Sequence, residues 1–244
     1  MFFWRREVRP GWSVAFTDVA AGSMSMSVPA DSAAAAHRAA VGGALRLASG
    51  FQFMNQVHGS AVAVLEKAGV QPEADALVSE TLPLAVLVAD CVPVLLLSET
   101  DDGAGMAAAV HAGRKGLAAN IVAEAVAELR SQADSDQPGG NRIAAWVGPA
   151  ICAKCYEVPE AMRAEIAAGN PASYAETSWG TPSIDLRAGV GSQLAALGVE
   201  VNHIEVCTRE EPRLFSHRRA VARPGIEPVG RFAGLVYRTG AGEP

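Results

Sequence analysis

The sequence predicts an α/β or α+β fold, a layered mixed sheet with flanking helices. Short apolar runs typical of strands are interspersed with stretches that repeat at helical spacing. Half of the residues are hydrophobic but only 6% are aromatic, and alanine and glycine are plentiful, which favours helices packed closely on sheets. The 244 residues contain no internal repeat and no convincing linker. We therefore expect one domain, residues 1–244.

The first half of the chain reads mainly as strands. We expect an alanine-rich helix at 32–48 and strands at 12–17, 51–59, 60–66, 75–79 and 104–113. The segment LPLAVLVADCVPVLLLS, residues 82–98, is continuously apolar, which predicts one or two fully buried strands. Within it Asp90 and Cys91 lie side by side, and Pro93 is expected to break the strand there. A turn is expected at 99–103.

The second half contains the clearest helix, at 114–132. Its apolar residues fall on one stripe at 3.6-residue spacing: Leu117, Ile121, Val122, Ala125, Val126 and Leu129. We expect a surface loop at 133–141, helices near 159–168 and 183–198, and strands near 142–148, 201–206 and 231–238. Gly198 is expected to end the second of these helices.

Composition restricts the function classes. A formal charge of −6 argues against sequence-independent nucleic-acid binding, which requires a basic face. Four unevenly spaced cysteines favour a reducing compartment over a disulfide scaffold. The N-terminus lacks the order of a signal peptide, and the longest apolar run, 84–97, is too short to span a bilayer. We expect a cytoplasmic protein with no membrane or nucleic-acid partner, and a single domain is compatible with a monomer.

Three metal-binding side chains share a similar setting near predicted strand ends. His58 precedes Gly59, Cys91 follows Asp90, and His111 ends a strand just before a helix. Side chains at such ends often form the sites of α/β proteins. Two imidazoles and a thiolate suit zinc and would leave a fourth position open. The alternative is that Cys91 is a small buried hydrophobe and the histidines belong to turns, because the spacings match no short metal motif.

Other candidates are weaker. CAKC, residues 152–155, has a CxxC spacing that could hold zinc or form a redox pair, but no second CxxC or histidine pair lies near it. We therefore expect structural or incidental cysteines there. Arg114-Lys115 at a helix start and Arg218-Arg219 could bind an anion, or could be solvated surface charges. Asp75 and Glu157 are candidate proton donors or acceptors, with structural hydrogen bonding as the alternative.

A series of motifs resembles the YfiH-like family, also known as peptidoglycan editing factor or laccase-domain ("multicopper polyphenol oxidase") proteins. The matching segments occur in the expected order over about three-quarters of the chain: QVHG (56–59), DALVS (75–79), ADCVPVLL (89–96), AVHAG (109–113), VGPAI (147–151), CYEV (155–158), DL (185–186), CT (207–208), FSHRR (215–219) and GRFAGLVY (230–237). Any one of them is weak, but the series is specific.

The resemblance implies a fold similar to the catalytic domain of cytotoxic necrotizing factor, and zinc held by His58, Cys91 and His111. It also implies an enzyme with two activities. One is purine nucleoside phosphorylase activity on adenosine, inosine, guanosine and methylthioadenosine; the other is adenosine deaminase activity. Its small-molecule partners would be a purine nucleoside and phosphate. Residues that could bind phosphate are Arg218, Arg219 and Arg231.

The chain departs from the family pattern at several positions. Val19 stands where the family has an arginine, Arg114-Lys115 replaces Trp-Arg, and His217 replaces a tyrosine. The departures leave the metal triad intact, so they bear on substrate affinity and substrate choice. A degenerate family member without turnover would also explain the altered N-terminal segment, although the intact triad argues against it.

Two other functions are alternatives to the zinc enzyme. A metal-free Cys-His hydrolase or deamidase, acting in cell-wall editing, would use His111 to activate Cys91. His58 argues against it, because a dyad needs only one histidine. Ordinary laccase chemistry is rejected, because the chain has five histidines and no His-x-His pair. Copper could nevertheless substitute for zinc at the triad, since copper(II) outcompetes zinc at many sites of this kind.

Overall fold

A computed structural model describes residues 1–27, 33–99, 105–132 and 142–239. In this part of the chain the strands are β1 (Phe2–Arg9), β2 (Trp12–Thr17), β3 (Val62–Val64), β4 (Ala76–Ser79), β5 (Leu84–Val88), β6 (Val92–Glu99), β7 (Ala107–Ala112), β8 (Arg142–Val147), β9 (Tyr174–Glu176), β10 (Pro182–Ile184), β11 (Glu200–His203) and β12 (Phe232–Arg238). The helices are α1 (Ala34–Ala44), α2 (Arg114–Ala118), α3 (Ile121–Ser131), α4 (Glu160–Gly169), α5 (Leu186–Ala196) and α6 (His217–Ala222).

Two larger sheets form the centre of the fold. One has four antiparallel strands in the order β1-β2-β12-β5. The other has six strands in the order β11-β8-β6-β7-β4-β3 and is mixed, because only its outer pairs β11–β8 and β3–β4 are parallel. Strands β9 and β10 form a separate small ribbon. The predicted class, a mixed sheet with flanking helices, is confirmed.

The layers follow from the side-chain alternation of the strands. In β6, Val94 and Leu96 pack against helices α2, α3 and α5, whereas Leu95 and Leu97 pack against the four-stranded sheet. The outer face of that sheet is covered by α1, with Val41 in the contact. The order is therefore helix, sheet, sheet, helix. A strand buried on both faces needs apolar residues at every position, which explains the continuous run at 92–97.

The predicted segment 82–98 is two strands that belong to different sheets. Strand β5 lies in the four-stranded sheet and β6 in the six-stranded sheet, so the chain crosses between sheets at 89–91. The break occurs at Asp90, whose φ is +91°, and the expectation of a break at Pro93 was wrong. Pro93 lies inside β6 opposite His111, and its pairing with β8 starts only at Val94, so the missing N–H costs little.

Other elements differ from the sequence prediction in defined ways. The helix expected at 114–132 is two helices, because Asn120 adopts a left-handed conformation with φ +56°. Residues 51–59 are not a strand but contribute two isolated bridges, at Gln52 and Asn55. Strand β1, the β9–β10 ribbon and helix α6 were not predicted. Residues 133–141, and all but Glu99 of the turn at 99–103, lie outside the described residues. No helix in the described ranges is long and apolar enough to cross a membrane.

Candidate metal centre and adjoining cavity

Three separate parts of the fold bring His58, Cys91 and His111 together. His58 lies in the loop before β3, Cys91 follows the crossing between the sheets, and His111 lies in β7. Their ligand atoms all lie within 4.8 Å of one another. The two imidazole rings are 4.7 Å apart between centroids and inclined at 83°. The triad predicted from the sequence is therefore assembled in space as one cluster.

Asp75 lies fully buried behind this cluster, where it contacts the His111 ring and the backbone at His58. Its carboxylate accepts hydrogen bonds from the backbone N–H groups of His58 (3.0 Å) and Gly59 (2.6 Å). It also contacts Nδ1 of His111 at 2.8 Å. The N–H on Nδ1 of His111 therefore donates to Asp75, which leaves Nε2 available to the cluster. This arrangement gives Asp75 a positioning role rather than direct access to a substrate.

Asp90 holds the strained backbone that presents Cys91. A non-glycine residue at φ +91° is unfavourable and needs compensating contacts. The hydroxyl of Thr208 donates to one carboxylate oxygen at 2.6 Å, and the backbone N–H of Arg218 donates to the other at 2.6 Å. The N–H of Ile151 donates to the Asp90 carbonyl at 3.0 Å. The acid next to the thiol is therefore explained by the need to hold this turn.

The electrostatics of the cluster favour a thiolate at Cys91. Burial by itself would raise the pKa of Cys91, but the charge of His111 and hydrogen bonds from His111 and His58 lower the pKa to about 6. Burial would lower the pKa of His111, yet Cys91 and Asp75 raise that pKa to about 9. Without a metal, Cys91 and His111 thus form a thiolate–imidazolium pair near neutral pH.

The donor set fits a zinc ion. One thiolate and two imidazoles are typical zinc ligands. The carboxylate of Asp75 orients one of the imidazoles in the way common at metal sites. Gly113 leaves room beside them, because a Cβ there would lie 3.1 Å from both Cys91 Sγ and the His58 ring. With three ligands from the protein, the fourth position would face the neighbouring cavity.

That cavity has a volume of about 570 Å³, which is within the usual range for small-molecule sites. All three cluster residues line it. Its wall combines apolar side chains with hydrogen-bonding and cationic ones. Apolar residues include Met54, Leu87, Val88, Ile151 and Leu186; polar and cationic ones include Asn55, Gln56, Tyr156, Arg38, Arg218 and Arg231.

The structure brings two of the three predicted phosphate-binding arginines to the cavity. Arg218 and Arg231 line it, whereas Arg219 does not. The guanidinium of Arg219 is buried and donates to Glu227 and to the carbonyl groups of Leu214 and other residues. The guanidinium N–H groups are engaged by other parts of the protein, so Arg219 is not part of the predicted anion site.

One cationic cavity residue was missed in the sequence, namely Arg38 on α1. Its Nε donates to the Met24 carbonyl at 2.8 Å, and its guanidinium carbon lies 3.6 Å from the centre of the Phe53 ring. No local motif marks this arginine, because helix α1 reads as an ordinary alanine-rich helix. His217 lines the cavity, whereas Arg114 and Lys115 do not.

Comparison with known proteins identifies the family. The chain matches the family described as "Multi-copper polyphenol oxidoreductase laccase" over residues 13–239. The chain belongs to this YfiH-like, laccase-domain family. It is 49% identical over 191 residues to a protein of Streptomyces coelicolor named purine nucleoside phosphorylase, covering 76% of this chain and 74% of the relative. A Mycobacterium tuberculosis protein of the same name is 43% identical over 211 residues, covering 84% and 79%.

Solved structures of this YfiH-like family share the fold. A Neisseria meningitidis protein superposes with a TM-score of 0.79 at 26% identity, over 98% of this chain and 99% of that one. YlmD from Geobacillus stearothermophilus gives 0.77 at 25% identity, again over 98% and 99%. The family prediction made from the ordered motifs is therefore confirmed.

Proposed function

We propose that the chain is a metal-dependent purine nucleoside phosphorylase, with zinc held by His58, Cys91 and His111. One observation carries the proposal: a compact His-Cys-His cluster opens into a cavity that three arginines line. The relatives named purine nucleoside phosphorylase support it independently. The substrates would be a purine nucleoside and inorganic phosphate, with adenosine, inosine, guanosine and methylthioadenosine as the candidates.

Phosphorolysis breaks the bond between the ribose C1′ and the purine nitrogen and forms a bond from C1′ to a phosphate oxygen. The purine leaves with the electron pair of the broken bond and takes up a proton. Phosphate must be held close to C1′ while positive charge develops on the sugar. The phosphate would be neutralised and oriented by Arg38, Arg218 and Arg231, because one guanidinium group can donate two parallel hydrogen bonds to two phosphate oxygens.

The remaining wall of the cavity suits a nucleoside. Leu87, Val88 and Leu186 offer apolar surface for the purine, and Asn55 and Tyr156 offer hydrogen-bonding groups. When bound, zinc would supply a Lewis acid for an oxygen of the ligand. The same combination would serve adenosine deamination, which we propose as a second activity. Copper could replace zinc, but five histidines without a His-x-His pair argue against multicopper oxidase chemistry.

A second candidate is favoured by one specific observation. The low pKa of Cys91, about 6, would make the thiolate a nucleophile in the absence of metal. The chain would then be a Cys-His hydrolase or deamidase, with cell-wall editing as its setting. In that case Asp75 would orient His111, as the third member of a triad does. Hydrolase or deamidase activity that persists after complete removal of the metal would identify this alternative.

The test combines metal analysis with product analysis. Protein purified without chelating steps is assayed with inosine, with and without phosphate, and hypoxanthine is measured by chromatography. We expect phosphate-dependent release that is lost in Cys91→Ala and His58→Ala. His203→Ala is a matched control, because His203 is exposed on β11 and does not line the cavity. Zinc-loaded protein that releases no base with phosphate from any of the four nucleosides would contradict the proposal.

A further inference from the structure

We propose a second, structural zinc site in this chain, with four ligands: Cys152, Cys155, Cys207 and Glu210. In the sequence, no second CxxC or histidine pair lies near CAKC to complete a metal site. The fold supplies the partners from about fifty residues further along the chain, because a parallel bridge pairs Ala150 with Cys207. We call these four side chains the cysteine cluster. It shares no residue with the His58, Cys91 and His111 site.

The cysteine cluster is compact enough for its four side chains to coordinate one ion. Its four ligand atoms all lie within 4.8 Å of one another. Zinc–sulfur bonds of about 2.3 Å in a tetrahedron place two sulfurs about 3.8 Å apart, and a sulfur and a carboxylate oxygen about 3.5 Å apart. The observed separation between Cys155 Sγ and Glu210 Oε1 is 3.4 Å. Zinc binding would draw the remaining ligand atoms to coordination distance and displace the thiol protons.

The ligand number points to a structural rather than a catalytic role. Four protein ligands close the coordination sphere, whereas the His58 site provides three and leaves a position open. Cys155 and Cys207 are buried, and Glu210 is exposed, so a cation has a route in from the surface. All three cysteines are free of disulfides in this structure.

The surroundings explain why the fold would benefit from such a site. Among the described residues, the apolar cluster here is small, and its buried members are Ile151, Cys155 and Cys207. Segments with little apolar burial depend on other links for stability. The cysteine cluster would tie the loop at 151–156 to the turn at 207–210.

The loop at 151–156 lines the cavity, and the turn at 207–210 contacts its wall through Asp90. Ile151 and Tyr156 line it, and the hydroxyl of Thr208 holds Asp90 next to Cys91. Zinc at the cysteine cluster would therefore fix the wall of the cavity without contacting a substrate. The four cluster residues are positioning residues in this sense, not catalytic ones.

The test uses Cys91→Ala as the parent protein. The chain has four cysteines, so this variant retains three, and all three belong to the cysteine cluster. The protein is reduced and stripped of metal without oxygen, and then given zinc. We expect one zinc per chain, and protection of all three thiols from a thiol reagent. Cobalt should give the near-ultraviolet band of thiolate coordination.

Matched variants in the same background complete the test. Cys155→Ser should lose the zinc and the cobalt band, and Lys154→Ala should keep both, because Lys154 is exposed between the two cysteines. Unprotected thiols in zinc-treated, folded Cys91→Ala protein would overturn the proposal. So would a Cys152–Cys155 disulfide that dioxygen forms when the zinc-treated protein is exposed to air, since that would make CAKC a redox pair. Neither outcome depends on whether the chain is a phosphorylase.

Discussion

Replacement of Asp75 by asparagine tests whether this acid organises the metal centre. One carboxylate oxygen of Asp75 faces His58 N–H and His111 Nδ1, at 3.0 and 2.8 Å. The other faces the N–H groups of Val57 and Gly59, at 3.3 and 2.6 Å. Asparagine can accept with one oxygen only, so its NH₂ group would point at two donors. At roughly 1–3 kcal/mol for each unsatisfied group, the two donors give an expected loss of about 2–6 kcal/mol in unfolding free energy.

The same substitution should weaken zinc binding. A carboxylate that orients a ligating histidine typically contributes about 10–100-fold to metal affinity. Urea unfolding of the metal-free protein measures the first effect, and competition with a chromogenic chelator measures the second. Asp185→Asn is the matched control, because Asp185 caps helix α5 by accepting from Ala188 N–H, and asparagine caps helices equally well. Equal stability and equal zinc affinity in both variants would refute the positioning role of Asp75.

Three further predictions concern other parts of the chain. In metal-free protein, the rate of Cys91 alkylation by iodoacetamide should rise as pH increases through about 6, because the neighbouring imidazoles lower the pKa of Cys91. Zinc should suppress the alkylation. A rise only near pH ~8.5, the pKa of a free thiol, would contradict this prediction. Arg231→Gln should raise KM for phosphate more than KM for inosine, measured by initial rates, and an unchanged phosphate KM would exclude the arginine from the anion site. Gly189→Ala should destabilise the protein by about 1–3 kcal/mol in urea, because the new Cβ would overlap the hydroxyl of Ser173. Gly191→Ala on the same helix should be neutral or stabilising, and equal effects at both glycines would count against the packing argument.

The sequence was most informative where local patterns decide the outcome. His58, Cys91 and His111 could be grouped because each lies near a predicted strand end and small residues. The core stripe of α3 was equally visible, since its apolar spacing is a local property. The ordered family motifs then placed these local signals in one known fold.

Long-range contacts account for what the sequence did not reveal. Nothing in CAKC indicates that Cys207 would pack against it, because the bridge from Ala150 to Cys207 depends on the tertiary fold. Arg219 looked as available as Arg218, yet only the packed structure decides which of the two faces the cavity. The switch of sheets at Asp90 was hidden because both faces of each strand are buried, so no change of polarity marks it.

The position of β12 has a consequence for the order in which the protein matures. Within the four-stranded sheet, β5 pairs only with β12, the last strand in the described part of the chain. Cys91 lies just after β5, and it leaves the ribosome long before β12 does. The turn that presents this thiol therefore acquires its flanking strand only after β12 has been synthesised. If the proposed centre binds its metal only once this turn is held, metal binding requires β12, and a product truncated before residue 232 would lack a competent centre although it contains every ligand.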